Sequence, residues 1–531
     1  MTGPATTQEP GRSAPASLKG SPDFARKTLG AVGWALVGAV LGRVVMFAGT
    51  LVLARLLDPT SFGLWGIGQV VVVALWQLGE LGLFQALVTT RRPLAVAADT
   101  AFVISAAFGA LCVAGVVLLS PLAASFFDEP QVAPLLIWLS STMFLLGLGT
   151  VPSALLEREL LFNRKLVPET GAALAFVFVG IALAVAGLGF WSLIGAQIAY
   201  QGARSALLWL QAPIPAGFRY GLKFDLATAT ELVGLGKYAM ASQVGQFIFT
   251  TVDNAIVGKL LGPAALGLYS MAYKLALFPA VNVTHHIAFV MFPAFSQVRE
   301  DAAELRRAFL GATKYTLLLS VPLGLWLMIL APQLIPVLLG AQWTGVVLTL
   351  QVLCVYGIAR ALWGLVVSLV LAFEGQRQLL WINVGVLALA LALVFPAAEW
   401  AGVVGVAAAF TASQIVGLLA LLRLGMPHAG VRARELVGTA VPSLAVIAAG
   451  AVVYVPVALG PGTPVAFLPL AAEIIAIGLT SAVGLALVDR ATLVRFWNER
   501  RARARESALG GAGGSAVAAE RSEVGAVGSC S

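Results

Sequence analysis

Charge is what this chain has least of. Of its 531 residues only 11% are Asp, Glu, Lys or Arg, against 59% that are hydrophobic, where a soluble domain carries about 25% charged residues. No water-facing surface can be built from so few ionic side chains, and a mean hydropathy of +0.93 excludes a soluble globular protein. Cysteine is nearly missing as well. Cys112, Cys354 and Cys530 lie far apart, which gives neither a disulfide framework nor metal-ligand spacing. There is no GxxxxGK phosphate loop, no HExxH and no GxSxG. The longest polar connections, near 213–232 and 295–312, are too short for a soluble catalytic domain, which needs roughly 50 residues or more.

What is present is a succession of long apolar segments. A spanning helix takes about 20 mostly apolar residues. Candidates fall near 31–54, 65–89, 98–120, 132–155, 170–188, 190–212, 235–259, 266–294, 313–338, 345–372, 379–396, 400–422, 437–459 and 465–488. The fold class expected is all-α integral membrane, with about fourteen spans. The pairs 170–212 and 379–422 have very tight connections. The first apolar stretch, from about Leu29, is long enough to span and reads as a signal anchor. Residues 1–28 read as a disordered cytoplasmic N-terminal tail, and 489–531 as a largely disordered cytoplasmic one.

Basic residues set the topology. Even-to-odd connections hold Arg91, Arg92, Arg158, Arg164, Lys165, Arg219, Lys223, Arg299, Arg306, Arg307, Arg377, Arg423, Arg432 and Arg434; odd-to-even connections hold acids such as Asp128, Glu129 and Glu399. By the positive-inside rule both termini are cytoplasmic. The net charge of +8 is accounted for by these loops, so no nucleic-acid partner is expected.

Two stretches nearly repeat. Residues 51–65 read LVLARLLDPTSFGLW and 255–269 read AIVGKLLGPAALGLY. Leu56, Leu57, Pro59, Gly63 and Leu64 recur as Leu260, Leu261, Pro263, Gly267 and Leu268. Arg55 recurs as Lys259, and Trp65 as Tyr269. Six spans precede the second copy's cytoplasmic approach, so the repeat is parallel, with its axis along the membrane normal, as in transporters built from related lobes. The expected organisation is an N-lobe over 29–212, a cytoplasmic linker over 213–234, a C-lobe over 235–424, and two extra spans over 425–488.

Several ionisable residues fall inside spans: Arg43, Glu80, Arg204, Asp253, Lys274, Arg360 and Glu473. Each costs about 2.5–3.5 kcal/mol at mid-membrane on insertion scales, so such residues face water or pair with one another. Gln243, Gln246, Thr250, Asp253 and Asn254 recur at helical spacing and share one face. Arg43, Arg55, Lys259, Arg360, Gln243 and Gln246 are therefore expected to line a central substrate cavity; Asp253, Glu80 and Lys274 are expected to couple an ion or to pair. For Arg55 and Lys259, snorkelling at a helix end is the competing reading. Pairing of Arg43 with Glu80, or of Asp253 with Lys259 or Lys274, competes for the others. His285 and His286 suit packing or hydrogen bonding better than proton coupling. Trp65, Trp191, Trp343 and Trp400 sit at span ends, where interfacial belts explain them.

The run LARLLDPTSFGLWGIGQVVVVALWQLGELGLFQALV (53–88) resembles the start of Wzx-type polysaccharide flippases, in particular the WzxC-like lipopolysaccharide exporter branch. DNAIVGKLLGPAALGLYSMAYKLALFPAVNVTHHIAFVMFPAFSQV (253–298) resembles that family's second lobe, and APQLIPVLLGAQWTG (331–345) its connection between spans 9 and 10. The likeness covers roughly 30–425. It implies the MOP superfamily, with fourteen helices, alternating access, and a lipid-linked oligosaccharide moved from the inner to the outer leaflet. A cationic cavity role falls by position to Arg43, Arg55 and Lys259; Arg360 is added by its depth. The implied setting is the bacterial cytoplasmic membrane, with no enzymatic activity, no cofactor beyond a coupling proton or sodium ion, and polymerase and export machinery as partners. A MATE-type multidrug antiporter is the alternative, and a polymerase or ligase acting on glycan lipids a further one. Bases at least as numerous as acids inside the spans favour the flippase.

Overall fold

The computed structural model describes residues 41–79, 83–90, 92–159, 161–214, 218, 224–444, 446–448, 451, 476 and 478. Side chains of 75–79, 235–250, 278–286, 288 and 289 are outside the description. Glu80, Gln243, Gln246, His285, His286, Glu473 and both tails therefore lie beyond it, in whole or in side chain.

The described chain is helical, with no strand. α1 covers 41–56. It is followed by α2 (Pro59–Gly79), α3 (Leu83–Thr89), α4 (Leu94–Phe127), α5 (Val132–Arg158), α6 (Phe162–Val185) and α7 (Trp191–Gln211). Then come α8 (Leu226–Val298), α9 (Ala302–Leu338), a 3₁₀ turn (Ala341–Trp343), α10 (Val346–Ala372), α11 (Gln376–His428) and the short α12 (Ala433–Gly438). Seven helices among the described residues are long and apolar enough to cross a membrane. Two elements each hold a pair of expected spans. α8 bends at Gly262, with φ 80° and ψ 179°, and α11 bends at Ala401 and Gly402, the latter with φ 56° and ψ −131°. Glycine allows both positive φ values without a Cβ penalty. The chain is a multi-span, all-α membrane protein.

The residues divide into two compact units. Unit 1 holds the chain to Leu275 with Leu338–Val352 and Leu387–Ser413. In it α4 packs on α5, α5 on α7 and α6 on α7. Small residues make the first contact close. A Cβ on Gly147 would lie 2.6 Å from the Ser105 carbonyl, and one on Gly109 would lie 3.0 Å from the Phe144 Cα. This is the close backbone approach by which membrane helices associate without a hydrophobic driving force. Leu83, Leu87, Ala97, Val151 and Leu155 form a buried cluster, and Leu232 from the start of α8 is part of it.

The linker is attached to that same end. The Thr100 hydroxyl accepts from the Asp225 amide at 3.2 Å, Arg92 pairs with Glu231 at 2.7 Å, and Phe218 stacks on Trp209 at 5.6 Å. Asp225 caps α8, accepting from the Thr228 amide at 2.8 Å and from its hydroxyl.

Unit 2 holds Ala276–Val337, Leu353–Val386 and the chain from Gln414. Phe295, Phe309, Trp363, Leu369 and Leu421 share its core cluster. Gly417 lets the second half of α11 approach the first half and α10, since a Cβ there would meet Val386 of α11 at 2.2 Å and Trp363 of α10 at 3.1 Å. Arg306 near the start of α9 pairs with Glu435 of α12 at 2.6 Å. The Arg432 amide donates to the same carboxylate at 3.0 Å and, with Arg306, holds it below the ordinary glutamate range.

Candidate functional site

The two copies of the repeat build the same local structure by different residues. Pro59 is the first residue of α2 and Pro263 follows the bend of α8. A proline at the first helical position loses no hydrogen bond and has the right φ. Ahead of Pro59, Asp58 accepts from the Ser61 amide at 3.3 Å and from its hydroxyl at 2.5 Å. Ahead of Pro263 the same place is taken by Gly262, whose positive φ bends α8 there.

These turns meet within unit 1. A Cβ on Gly63 would lie 1.6 Å from the Pro263 carbonyl oxygen, and one on Gly267 would lie 1.8 Å from the Pro59 carbonyl oxygen. The contact is reciprocal, as a local two-fold requires. Trp343 is seated on it. Its ring is fully buried, its Nε1 donates to the Ala54 carbonyl at 2.6 Å, and its edge meets Phe62 at 5.3 Å. That carbonyl is in the last turn of α1, where no intrahelical donor follows. Trp343 is thus a buried anchor and not the interfacial belt residue its place at a span end suggested. Trp400, 88% exposed, does have the exposure a belt requires.

The expected site residues fall as follows. Arg55, exposed on α1, presents its carbonyl to Gln342 Nε2 at 3.3 Å. Lys259, its counterpart, pairs with Asp128 at 2.7 Å and covers the Phe126 ring at 5.3 Å. Asp128 itself takes φ 54° at the C-cap of α4, closed by backbone bonds to Ala124 and Ser125. Arg43 is exposed on α1, one residue beyond Gly42, whose nearest neighbour is Glu169 of α6. Arg360 is half-buried in α10 and belongs to unit 2.

Asp253 is 6% exposed. It accepts from the Tyr269 hydroxyl at 3.0 Å and from the Asn254 amide at 2.8 Å. Lys274 holds its ammonium 4.2 Å from the Trp65 ring centroid, a cation–π contact. The structure therefore brings Arg55, Lys259, Asp253 and Lys274 into unit 1 beside the repeat turns. Asp253 is bonded to a tyrosine, and Lys259 to an acid of the α4–α5 connection. Sequence reasoning missed Glu169, which accepts from Arg204 Nη2 at 2.8 Å and from its Nε at 3.1 Å. An intramembrane arginine one helix away from a glutamate at similar depth was the available signal.

Residues 52–348, more than half of the chain, match a protein family described as polysaccharide biosynthesis protein. The chain is 26% identical over 395 residues to the lipopolysaccharide biosynthesis protein WzxC of Escherichia coli (strain K12), covering 74% of this chain and 80% of that one. It is 27% identical over 312 residues to the succinoglycan biosynthesis transport protein ExoT of Rhizobium meliloti (strain 1021), covering 59% of this chain and 62% of that one. Among solved structures, the lipid II flippase MurJ in an inward closed conformation superposes with a TM-score of 0.65 at 13% identity, over 86% of this chain and 99% of that one. An inward-facing MATE-family multidrug transporter of the MOP superfamily superposes at 0.59 and 16% identity, over 75% of this chain and 98% of that one. The multi-helix membrane fold is that of MOP transporters.

Proposed function

The chain belongs to the polysaccharide biosynthesis protein family, and from that premise we propose that it is a flippase carrying a polyprenyl-pyrophosphate-linked oligosaccharide from the inner to the outer leaflet of a bacterial cytoplasmic membrane. It is a transporter and not an enzyme. The observation that carries the reading is the family match over 52–348, which takes in Arg55 and Lys259 of the two repeat copies with Glu80, Arg204, Asp253 and Lys274. Sugars and pyrophosphate do not cross hydrocarbon unaided, because each polar group that loses its hydrogen bond costs several kcal/mol, on the order of 4–8 on a hydrocarbon scale. Protein cations replace water around the head group while the lipid tail stays in the bilayer.

Arginine suits this task because it stays charged and forks onto phosphate oxygens. Arg43, Arg55, Lys259 and Arg360 are the proposed phosphate contacts, with Gln243 and Gln246 for sugar hydroxyls. Lys259 serves only after it leaves Asp128. Asp253 or Glu80 takes the coupling ion, a proton or sodium, and Lys274 is charge-balanced with them. A negative-inside potential favours outward anion movement by about 2.3 kcal/mol per charge per 100 mV. Both termini are cytoplasmic on this reading, and the oligosaccharide is delivered to polymerase and export machinery.

A deletion strain tests it. The lipid-linked oligosaccharide is expected to collect on the inner leaflet, and the restored chain to return it to the outer one. Unpolymerised units on the outer leaflet would point instead to a polymerase or ligase. Normal surface polysaccharide with raised drug sensitivity would point to a multidrug antiporter.

A further inference from the structure

We infer that the Pro59–Gly63 and Pro263–Gly267 turns form the outer gate of this transporter, a clasp that must part before substrate leaves on the outer side. The inference rests on the transport reading and on the topology set by the basic loops, and it goes beyond both in naming the moving contact.

The first ground is how tightly the clasp is closed. Each turn offers a glycine to the other's proline carbonyl, and no Cβ fits at either position. Nothing larger than glycine allows this approach, so both copies carry the same proline–glycine spacing. The contact is backbone against backbone and leaves no room for water.

Position is the second ground. Every odd-to-even connection through residue 413, hence every outer one by charge, belongs to unit 1. Of the inner connections by charge, those near 90–93, 159–161 and 212–225 also belong to unit 1, and those at 299–301, 373–375 and 429–432 belong to unit 2. The outer connections of both repeat copies are therefore gathered in one compact body.

A third segment completes the closure. Trp343 bonds the first copy through Ala54, and a Cβ on Gly345 would lie 3.1 Å from Leu268 of the second copy. The connection 339–345 thus lies across both turns and fastens them. By contrast Lys259–Asp128 is a solvent-exposed ion pair, of a kind that contributes little, and yields easily when the turns separate.

Two measurements test the gate. In a chain with Cys112, Cys354 and Cys530 replaced by Ala, Gly66→Cys and Leu266→Cys are joined by a short bifunctional thiol reagent; a Cβ on Gly66 lies 3.2 Å from the Leu266 side chain. Full cross-linking is expected to cut delivery of the lipid-linked oligosaccharide to the outer leaflet at least tenfold. Unchanged delivery would overturn the gate.

Separately, Ser270→Cys, one turn inward of the clasp, is labelled in intact cells with a membrane-impermeant maleimide. Gly63→Ala with Gly267→Ala is expected to raise the labelling rate several-fold. Fast labelling without the wedge, or an unchanged rate in a folded wedge variant, would also overturn it. If the wedge variant does not fold, the cross-link alone decides. If labelling responds to the wedge while neither the cross-linkable chain nor the original delivers any oligosaccharide lipid, the gate stands and the flippase reading fails.

Discussion

Asp225 shows how one side chain at the membrane edge fixes a longer segment. The Thr228 hydroxyl and amide both donate to it, holding its carboxyl below the ordinary value. A carboxylate depressed in the folded state contributes stability that is complete above its unfolded pKa of about 3.9 and is lost as pH falls through the folded value. Hydrogen exchange in the first turn of α8, corrected for intrinsic rate, is therefore expected to be flat at neutral pH and to rise below about pH 4. In Asp225→Ala it is expected to be raised at neutral pH to the level wild type reaches in acid, with no acid step. A wild-type profile without that step would remove the cap from the account.

At the scale of elements, glycine lets helix pairs approach closely where their backbones cross. Gly147 faces the Ser105 carbonyl at 2.6 Å from its virtual Cβ, so Gly147→Val forces α4 and α5 apart. A loss of about 1–3 kcal/mol is expected, the usual cost of overpacking, read as a lower thermal midpoint in detergent. Gly115→Ala on α4, where an added Cβ meets nothing within 4 Å, is expected to leave the midpoint unchanged or raised, because alanine is the better helix former. Elements were the most legible level of the sequence. The span expected at 345–372 is α10 at Val346–Ala372, and the tight pair expected over 379–422 is α11, bent at Ala401 and Gly402. α4, at 34 residues, runs past both ends of the expected 98–120, and α9, at 37 residues, starts at Ala302 ahead of the expected 313 and ends at Leu338 as expected. Hydropathy marks the part of a helix that lipid surrounds and is silent on turns extended beyond it.

For the whole molecule, the basic loops make a prediction that transport assays do not. Single cysteines placed in turn at residue 9, residue 520 and exposed Glu399 are expected to react with an impermeant maleimide from outside only at 399. Labelling at either terminus would reverse the topology and with it the outer placement of the clasp. The site itself was only half legible. Arg55 and Lys259 were singled out as charges at equivalent repeat positions, and the fold keeps them beside the two turns. That Lys259 pairs with Asp128, and Asp253 with Tyr269, was not, because partners of comparable charge and depth exist on several helices and one-dimensional spacing does not choose among them.

The sequence alone determined that this protein lives in a membrane and that its two halves share a motif, and it set the expected alternation of its segments across it. Those follow from where apolar side chains run unbroken and where arginines collect, both local properties of the chain. Only the tertiary structure decided that the two motifs clasp each other, glycine to proline carbonyl, and that Trp343 fastens them. Such a contact joins residues far apart in sequence through backbone atoms, and backbone atoms leave no mark in a string of side chains beyond the glycine that lets them touch.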